Sequence, residues 1–243
     1  MRLVKYHGLG NDFLILLDLD GRERVDAERA RKLCDRHRGV GADGLIRVTA
    51  GRDGADVSMQ LWNADGSEAE TSGNGLRCLA RAVVDAGVRP GPELLVLTAA
   101  GRKQVTVEPD GRISVEMGAA RVEEAIVSIG ARAAHVDMGN PHLVVLDDGH
   151  VDVTVLGPRH PYVNVEIISG AGDELVMRVW ERGVGETESC GTGACAAVAA
   201  AHEWGIVGAK ATVHQPGGDL EVCLGDTVTL TGPAEQVFTV DIP

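Results

Sequence analysis

The chain has 243 residues, and its 23 Lys and Arg against 36 Asp and Glu give a formal net charge of −13 at pH 7. Such an acidic chain would repel a phosphate backbone or an anionic membrane surface, which argues against nucleic acid and membrane as partners. Aromatic residues make up 3%, which disfavours a base-stacking surface, while 44% hydrophobic residues indicate a globular protein. The chain has five cysteines and no C-x-x-C pair, so we expect reduced thiols and a cytoplasmic protein.

Targeting and membrane segments are not expected. The longest apolar run, Ala194–Ala201, is far shorter than the ~20 residues that cross a bilayer. Lys5 and His7 interrupt the region where a signal peptide would have its apolar core.

The first half of the chain predicts short strands, Gly-rich turns and two helices. Asp12–Asp18 is an apolar segment typical of a strand, and residues 26–38 read as a helix with Asp26 as its N-cap. Alternating apolar residues over 57–61 predict a half-buried strand. A turn and a helix over about residues 75–85 follow, and then hairpin strands with a turn at Gly101.

The second half repeats the first. Residues 175–179 predict another half-buried strand, and about 193–203 another helix. The landmarks recur 118 residues apart: Trp62 with Trp180, Gly73 and Gly75 with Gly191 and Gly193, and Gly87 with Gly205. Gly10–Leu14 matches Gly139–Leu143 at a slightly different offset. We interpret the pattern as a duplication, although Gly turns before Ala-rich helices can also align by chance.

The duplication predicts an α/β (α+β) fold with two pseudo-symmetric halves. Each would be a mostly antiparallel sheet or barrel around a central helix, with the active site in the cleft between the halves. We place the N-terminal half at 1–113, joined by 233–243, and the C-terminal half at 114–232.

Each repeated helix begins with small residues and one side chain that can carry a proton. The two starts are Ser72–Gly75 and Cys190–Gly193. Free N–H groups of a first helical turn bind anions, so two such starts facing each other would hold one carboxylate. That geometry suits removal of a proton from the carbon beside a carboxylate and its return on the opposite face.

The cysteines differ in their sequence surroundings. A helix N-terminus lowers the pKa of a thiol, so we expect some Cys190 thiolate near neutral pH. The ordinary alternative for Cys190 is a buried structural cysteine. The other cysteines lack this setting and are expected in the core: Cys34, Cys78, Cys195 and Cys223.

Eight short stretches, in order along nearly the whole chain, resemble the diaminopimelate epimerase family. They are His7–Phe13, Gly39–Gly44, Asn63–Glu68, Ser72–Gly75, Met138–His142, Val163–Glu166, Glu181–Thr187 and Cys190–Gly193. The family consists of cofactor-independent enzymes that invert one α-carbon of diaminopimelate. Some members carry Gln at the position of Gly44, so no contact is assigned to that residue.

The resemblance implies a role for each matching residue. Cys190 would be one catalytic acid or base, with Ser72 at the position of the other, and His142 and Glu181 would tune their pKa values. The substrate-binding residues would be Asn11, Asn63, Gly73, Asn74, Asn140, Asn164, Glu181, Arg182, Gly191 and Thr192. An Asn amide both donates and accepts, which suits a zwitterion, and Arg182 would hold the distal carboxylate through two hydrogen bonds. Taken singly, each has an ordinary interpretation, such as a turn cap, a surface charge or a core histidine.

Ser72 departs from the family pattern, which has a cysteine at this position. The neighbouring Thr71 does not restore it, and Cys78 lies inside the predicted helix. A hydroxyl can give a proton to a carbanion, but it is a poor base unless another group takes its own proton. Three explanations stay open: a working Ser/Cys pair, a changed reaction, or a cysteine-to-serine substitution introduced into the natural sequence.

The leading hypothesis is an epimerase that converts LL-diaminopimelate to the meso form for lysine and peptidoglycan precursor synthesis. One alternative is a one-base lyase or dehydratase of a related amino acid, since related proline-racemase-like proteins include dehydratases. Another is a form of low or no activity that only binds diaminopimelate. We expect a small-molecule amino-acid substrate, no metal and no pyridoxal phosphate, and the resemblance implies a homodimer.

Overall fold

The computed structural model describes residues 1–89, 91–126, 131–147 and 149–242, with the backbone alone at residue 126. The chain divides into two compact units, Met1–Val115 with Gly232–Pro243, and Glu116–Thr231. Strands dominate both units and helices are few, so the predicted mixed α/β class is confirmed.

The strands follow one another closely along the chain. Up to Gly118 they are β1 (Arg2–Gly8), β2 (Asn11–Leu17), β3 (Gly44–Ala50), β4 (Val57–Asn63), β5 (Glu68–Ala69), β6 (Glu93–Thr98), β7 (Gly101–Val107) and β8 (Ile113–Gly118). The later strands are β9 (Arg121–Ile126), β10 (Arg132–Asp137), β11 (Pro141–Leu146), β12 (Asn164–Glu181), β13 (Gly185–Thr187), β14 (Val207–Gln215), β15 (Gly218–Cys223), β16 (Val228–Gly232) and β17 (Glu235–Asp241). The helices are α1 (Ala27–Cys34), α2 (Gly73–Asp85), α3 (Val153–Leu156) and α4 (Gly191–Glu203).

Both units use the same strand pairing. In the first, β1 is antiparallel to β2, β2 is parallel to β3, and β4 is parallel to β6. In the second, β10 is antiparallel to β11, β11 is parallel to β12, and β12 is parallel to β14. The single strand β12 takes the places of β3 and β4. It turns tightly at Gly170, where a Cβ would lie 2.2 Å from the carbonyl oxygen of Glu174.

Each unit has one long buried helix. Helix α2 packs on β1, β2 and β3, and α4 packs on β10, β11, β12 and β14. The stretch Ala194–Ala201 of α4 is buried on all sides, as expected for a helix without a polar face. The helices end where the sequence predicts, at Gly87 (φ +66°) and Gly205 (φ +72°). Glycine adopts this left-handed conformation without steric cost and so closes the last turn.

Three predicted helix boundaries and one predicted core residue are wrong. Helices α2 and α4 begin two residues earlier than expected, because Ser72 and Cys190 are their N-caps. Helix α1 ends at Cys34 and not near Arg38, because the backbone becomes extended at Asp35. The Asp35 carboxylate then accepts hydrogen bonds from the next N–H groups.

Cys223 is exposed, whereas the other cysteines expected in the core are buried. It is the last residue of β15, where alternate side chains point away from the core. Among the described residues, no helix is both long and apolar enough to cross a membrane.

Candidate active site

Ser72 and Cys190 cap the two long helices in the same way. Ser72 Oγ accepts a hydrogen bond from the Gly75 N–H at 3.0 Å, and Cys190 Sγ accepts one from the Gly193 N–H at 3.4 Å. The two N–H groups ahead of each of these have no acceptor within the helix. Each start therefore offers a proton-bearing side chain beside backbone donors that can bind an anion.

The glycines at the third helical position lie against different side chains in the two units. A Cβ on Gly75 would lie 3.1 Å from Ile46 Cδ1 and 3.3 Å from Met59 Cε. A Cβ on Gly193 would lie 2.6 Å from Glu166 Oε1. The start of α2 therefore rests on apolar groups, and the start of α4 on a carboxylate.

In the first unit, hydrogen bonds with charged side chains orient two of the predicted asparagines. Asn74 Nδ2 donates to Asn11 Oδ1 at 3.2 Å, and Asn11 Nδ2 donates to Asp43 Oδ2 at 3.0 Å. The fully buried Arg77 donates to Asn74 Oδ1 at 2.9 Å. Asn11 and Asn74 thus hold each other in one orientation beside the start of α2.

Asp12 anchors the first residues of β2, where Asn11 lies. Its carboxylate accepts hydrogen bonds from Arg36 and from the Asp43 N–H, and it lies 2.6 Å from Lys5 Nζ. Burial alone would raise the pKa of Asp12, but the hydrogen bonds from Arg36 and Lys5 bring this pKa down to about 2. The start of β2 is therefore held by an ionised carboxylate throughout the physiological pH range.

Asn63 lies apart from these contacts within the described residues. It ends β4, is exposed, and donates to Ser67 Oγ at 3.0 Å. Its side chain is thus held by the following turn and faces solvent.

In the second unit, polar contacts run from the strands to Cys190. Glu166 Oε1 lies 2.7 Å from His142 Nδ1, and His142 Nε2 lies 3.1 Å from Asn140 Oδ1. Asn140 Nδ2 lies 3.4 Å from Thr192 Oγ1, which is 3.6 Å from Cys190 Sγ. Four residues named from the sequence are thus joined, and Glu166 is added to them.

The remaining predicted side chains of this unit are Glu181, Asn164 and Arg182, and Glu181 lies in contact with Cys190. Glu181 Oε1 accepts a hydrogen bond from Thr187 Oγ1 at 2.6 Å. Asn164 Oδ1 accepts one from the Arg182 N–H at 2.9 Å, and the Arg182 side chain is exposed. Its Nη1 donates to the carbonyl oxygen of Tyr162 at 3.4 Å, so the guanidinium is held at the surface.

The expected lowering of the Cys190 pKa is wrong for this structure. Burial raises the pKa of the thiol well above its usual value, and the carboxylates of Glu181 and Glu166 raise this pKa further. Hydrogen bonds from Thr192 and the Gly193 N–H lower the thiol pKa but do not outweigh burial. Burial also raises the pKa of Glu181, against the effect of its hydrogen bonds with Thr187 and Cys190.

Sequence reasoning missed several side chains that orient the predicted ones. They are Asp43, Arg77, Glu166, Thr187 and Gln215, whose Oε1 accepts from the Cys190 N–H at 2.8 Å. A signal existed for Glu166, because it is a single carboxylate inside an otherwise apolar strand segment. The others act across elements distant in sequence, so spacing alone does not reveal them.

Solved structures of the same fold define the class. A phenazine biosynthesis protein of the PhzF family from Bacillus anthracis matches with a TM-score of 0.78 at 16% identity, over 100% of this chain and 99% of that chain. A hydroxyproline epimerase from Agrobacterium vitis matches with a TM-score of 0.71 at 17% identity, over 99% of this chain and 91% of that chain. A probable proline racemase from Agrobacterium radiobacter has the same architecture. The chain therefore has a proline-racemase-like fold.

Sequence comparison identifies the family. The family model described as diaminopimelate epimerase matches residues 3–123 and 134–237. A curated diaminopimelate epimerase from Synechococcus sp. is 43% identical over 276 residues, which cover 97% of this chain and 95% of the relative. The diaminopimelate epimerase of Moorella thermoacetica is 42% identical over 278 residues, covering 100% of this chain and 99% of that one. The chain belongs to the diaminopimelate epimerase family, which confirms the resemblance seen in the sequence.

Proposed function

We infer that the chain is a diaminopimelate epimerase, an isomerase that converts LL-diaminopimelate to the meso form in lysine biosynthesis. The observation that carries this function is the match to curated diaminopimelate epimerases along the whole length of the chain. The one-base lyase and the form that only binds are less favoured, because these relatives bear the name of the epimerase.

We propose that both helix starts serve one substrate carboxylate. The N–H groups of Gly73 and Asn74 on one helix, and of Gly191 and Thr192 on the other, would bind its oxygens. Removing the neighbouring α-proton moves negative charge onto those oxygens. Preorganised donors stabilise that charge more than they stabilise the ground state, which lowers the barrier.

The proposed proton transfer uses one group on each face of the α-carbon. Cys190, as thiolate, takes the proton and becomes a thiol, while Ser72 gives its hydroxyl proton to the opposite face. The raised pKa of the Cys190 thiol disfavours the thiolate form that this step requires. A bound amino acid brings a cationic α-ammonium group, which favours the thiolate. A serine hydroxyl is a far weaker acid than a thiol, and giving up its proton leaves an alkoxide that must regain a proton from water before the next turnover. We therefore propose that proton donation by Ser72 limits turnover.

The other predicted residues would recognise the amino-acid groups. Asn amides donate to carboxylate and accept from ammonium, and Arg182 would pair with the distal carboxylate. The proposed set is Asn11, Asn63, Asn74, Asn140, Asn164, Glu181 and Arg182. His142 is buried and bonded to Asn140, so we propose that it acts on the site through that side chain.

We further propose a cytoplasmic homodimer that works without metal or pyridoxal phosphate, because proton transfer from two faces needs no electron sink. Sedimentation velocity of the active protein tests the assembly, and turnover in the presence of a chelator tests the metal. A monomeric active species, or activity lost on chelation, would contradict this part.

The function is tested with LL-diaminopimelate in deuterated water. We expect inversion with deuterium at the inverted carbon, and Cys190→Ala should lower this exchange by at least about 100-fold. The matched control is Cys223→Ala, which removes an exposed cysteine and should leave exchange unchanged. Inversion without deuterium uptake, or full exchange in Cys190→Ala, would refute the proposed chemistry.

A further inference from the structure

Arg77 is a charged side chain that is buried completely inside the first unit. It lies in α2 and donates from Nε to the carbonyl oxygen of Pro233 at 3.1 Å and from Nη2 to Asn74 Oδ1 at 2.9 Å. A Cβ on Gly8 would lie 2.9 Å from Nη2, so a side chain at the end of β1 would displace the guanidinium. Burying a guanidinium is costly unless its N–H groups meet acceptors, so these contacts closely define the position of Arg77.

The duplicated fold does not require an arginine at this position. In the repeat of 118 residues, Arg77 corresponds to Cys195, which is buried in α4 in the same way. Asn74, which accepts from Arg77, corresponds to Thr192. The arginine and the asparagine thus occur as a pair in the first unit, whereas smaller side chains fill both places in the second.

The direction of each hydrogen bond that leads away from Arg77 is determined. A guanidinium only donates, so the Asn74 atom that faces it is the carbonyl oxygen. The Asn74 amide nitrogen then donates to Asn11 Oδ1 at 3.2 Å, and Asn11 Nδ2 donates to Asp43 Oδ2 at 3.0 Å. The same Asp43 oxygen accepts from the Asp12 N–H at 3.1 Å, which agrees with its role as an acceptor at the far end.

An asparagine amide is nearly symmetric in shape but not in chemistry. Its two orientations exchange a group that donates with one that accepts, so an unconstrained amide can offer either one to a ligand. Arg77 leaves one orientation to Asn74, and Asn74 leaves one to Asn11. Asp43 uses one of the two amide hydrogens of Asn11. The second hydrogen and the second lone pair of Oδ1 therefore have fixed places from which to meet a charged amino acid.

We propose that Arg77 is a positioning residue for the substrate site, which orients Asn11 through Asn74. The proposal rests on the proposed function, in which Asn11 and Asn74 bind diaminopimelate. Arg77 has no exposed surface, so it acts through these side chains and does not contact the substrate itself. The simpler alternative is that Arg77 only stabilises the packing of α2 on β1.

Arg77→Lys tests the proposal because it keeps the positive charge and removes the planar guanidinium. A single ammonium nitrogen on a flexible stem replaces the two nitrogens that donate to Pro233 and Asn74. The dissociation constant of LL-diaminopimelate is measured by calorimetry in a Cys190→Ala background, in which inversion of the ligand is not expected. Losing one well-oriented hydrogen bond to the ligand should raise this constant about fivefold. An unchanged dissociation constant would overturn the proposal.

Two further variants separate orientation from stability. Asn74→Ala removes the amide and keeps the backbone N–H, so adding Arg77→Lys to it should raise the dissociation constant no further. Arg47→Lys is the matched control, because Arg47 also donates through two nitrogens in the first unit, to Asp18 Oδ2 at 2.8 and 2.6 Å. It should lower stability and leave binding unchanged. Further weakening in the Asn74→Ala background, or equal weakening in Arg47→Lys, would overturn the proposal.

If Arg77→Lys does not fold, neutron diffraction from the deuterated, unaltered protein decides the matter. Deuterium should lie on the Asn74 atom that faces Asn11 and on the Asn11 atom that faces Asp43, with each amide in one orientation. Either amide in the opposite orientation, or in both, would overturn the proposal. This measurement uses no substrate. Failure of the Cys190→Ala protein to bind LL-diaminopimelate would therefore refute the proposed function, and the neutron density would still test the orientation of the two amides.

Discussion

The starts of α2 and α4 have the same backbone geometry, but α2 lies against apolar side chains and α4 against a carboxylate. Phe13 pairs with Gly44 between β2 and β3, and His142 pairs with Asn164 between β11 and β12. Two residues further along the second strand of each pair stand Ile46 and Glu166, each beneath the third residue of its helix. A phenylalanine and an isoleucine thus occupy the places that a histidine and a glutamate occupy in the other unit.

The comparison shows which features the duplication preserves. Both units keep the capping geometry, the first-turn glycines and the N–H groups that can bind an anion. The supporting side chains have diverged, so Ser72 is held over an apolar surface and Cys190 over the buried, hydrogen-bonded side chains of Glu166 and His142. We infer that the anion site is common to the units, whereas the strength of the acid or base is set in each unit separately.

Among the changes that test this comparison, Ser72→Cys is expected to have the largest effect, which is on the rate of inversion. A thiol is a far stronger acid than a hydroxyl, and a well-placed general acid or base contributes about 10²–10⁴-fold. We expect the turnover number for inversion of LL-diaminopimelate to rise at least about tenfold.

The control for this change is Ser169→Cys, which adds a thiol at a partly exposed position in the second unit. It should leave inversion unchanged. A Ser72→Cys variant no faster than this control would break the assignment of Ser72 to the proton-transfer position.

A smaller effect is expected from adding a methyl group at each helix start. In Gly193→Ala the Cβ would meet Glu166 Oε1, which is fixed by His142, so we expect a loss of about 1–3 kcal/mol in the free energy of unfolding. In Gly75→Ala the Cβ meets the ends of Ile46 and Met59, which can shift by tenths of an ångström. The gain in helix propensity of up to about 1 kcal/mol then offsets much of the cost.

Urea unfolding of both variants measures this difference. Gly75→Ala should be the more stable of the pair, and both should retain the slope of the wild-type unfolding curve. Equal losses would mean that the contact between Glu166 and His142 beneath α4 is no more rigid than the apolar contacts beneath α2.

The sequence contained enough information for the duplication, because repeated Gly and Trp landmarks keep their spacing when side chains between them diverge. It also marked Cys190, His142 and Asn140, whose contacts the structure joins. The raised pKa of Cys190 was not predictable in this way, since it depends on burial and on Glu181 and Glu166. The helix start was visible in the sequence, but the carboxylates that oppose its effect come from another strand.

The boundaries of α1 show a second limit. The sequence predicted a helix that continues to about Arg38, but a single carboxylate, Asp35, accepts hydrogen bonds from the following N–H groups and ends the helix at Cys34. Local competition of this kind is decided by side-chain hydrogen bonds, which periodicity does not report.

The most direct test of the difference between the two starts uses the thiol introduced by Ser72→Cys and Cys190 in one molecule. Their alkylation rates at pH 8 would be compared with and without Glu166→Gln, with the exposed Cys223 as the reference. Because the Glu166 carboxylate raises the pKa of the Cys190 thiol, the account predicts that Glu166→Gln speeds alkylation of Cys190 and leaves the thiol at position 72 unchanged. Equal changes at both thiols, or none at Cys190, would contradict it.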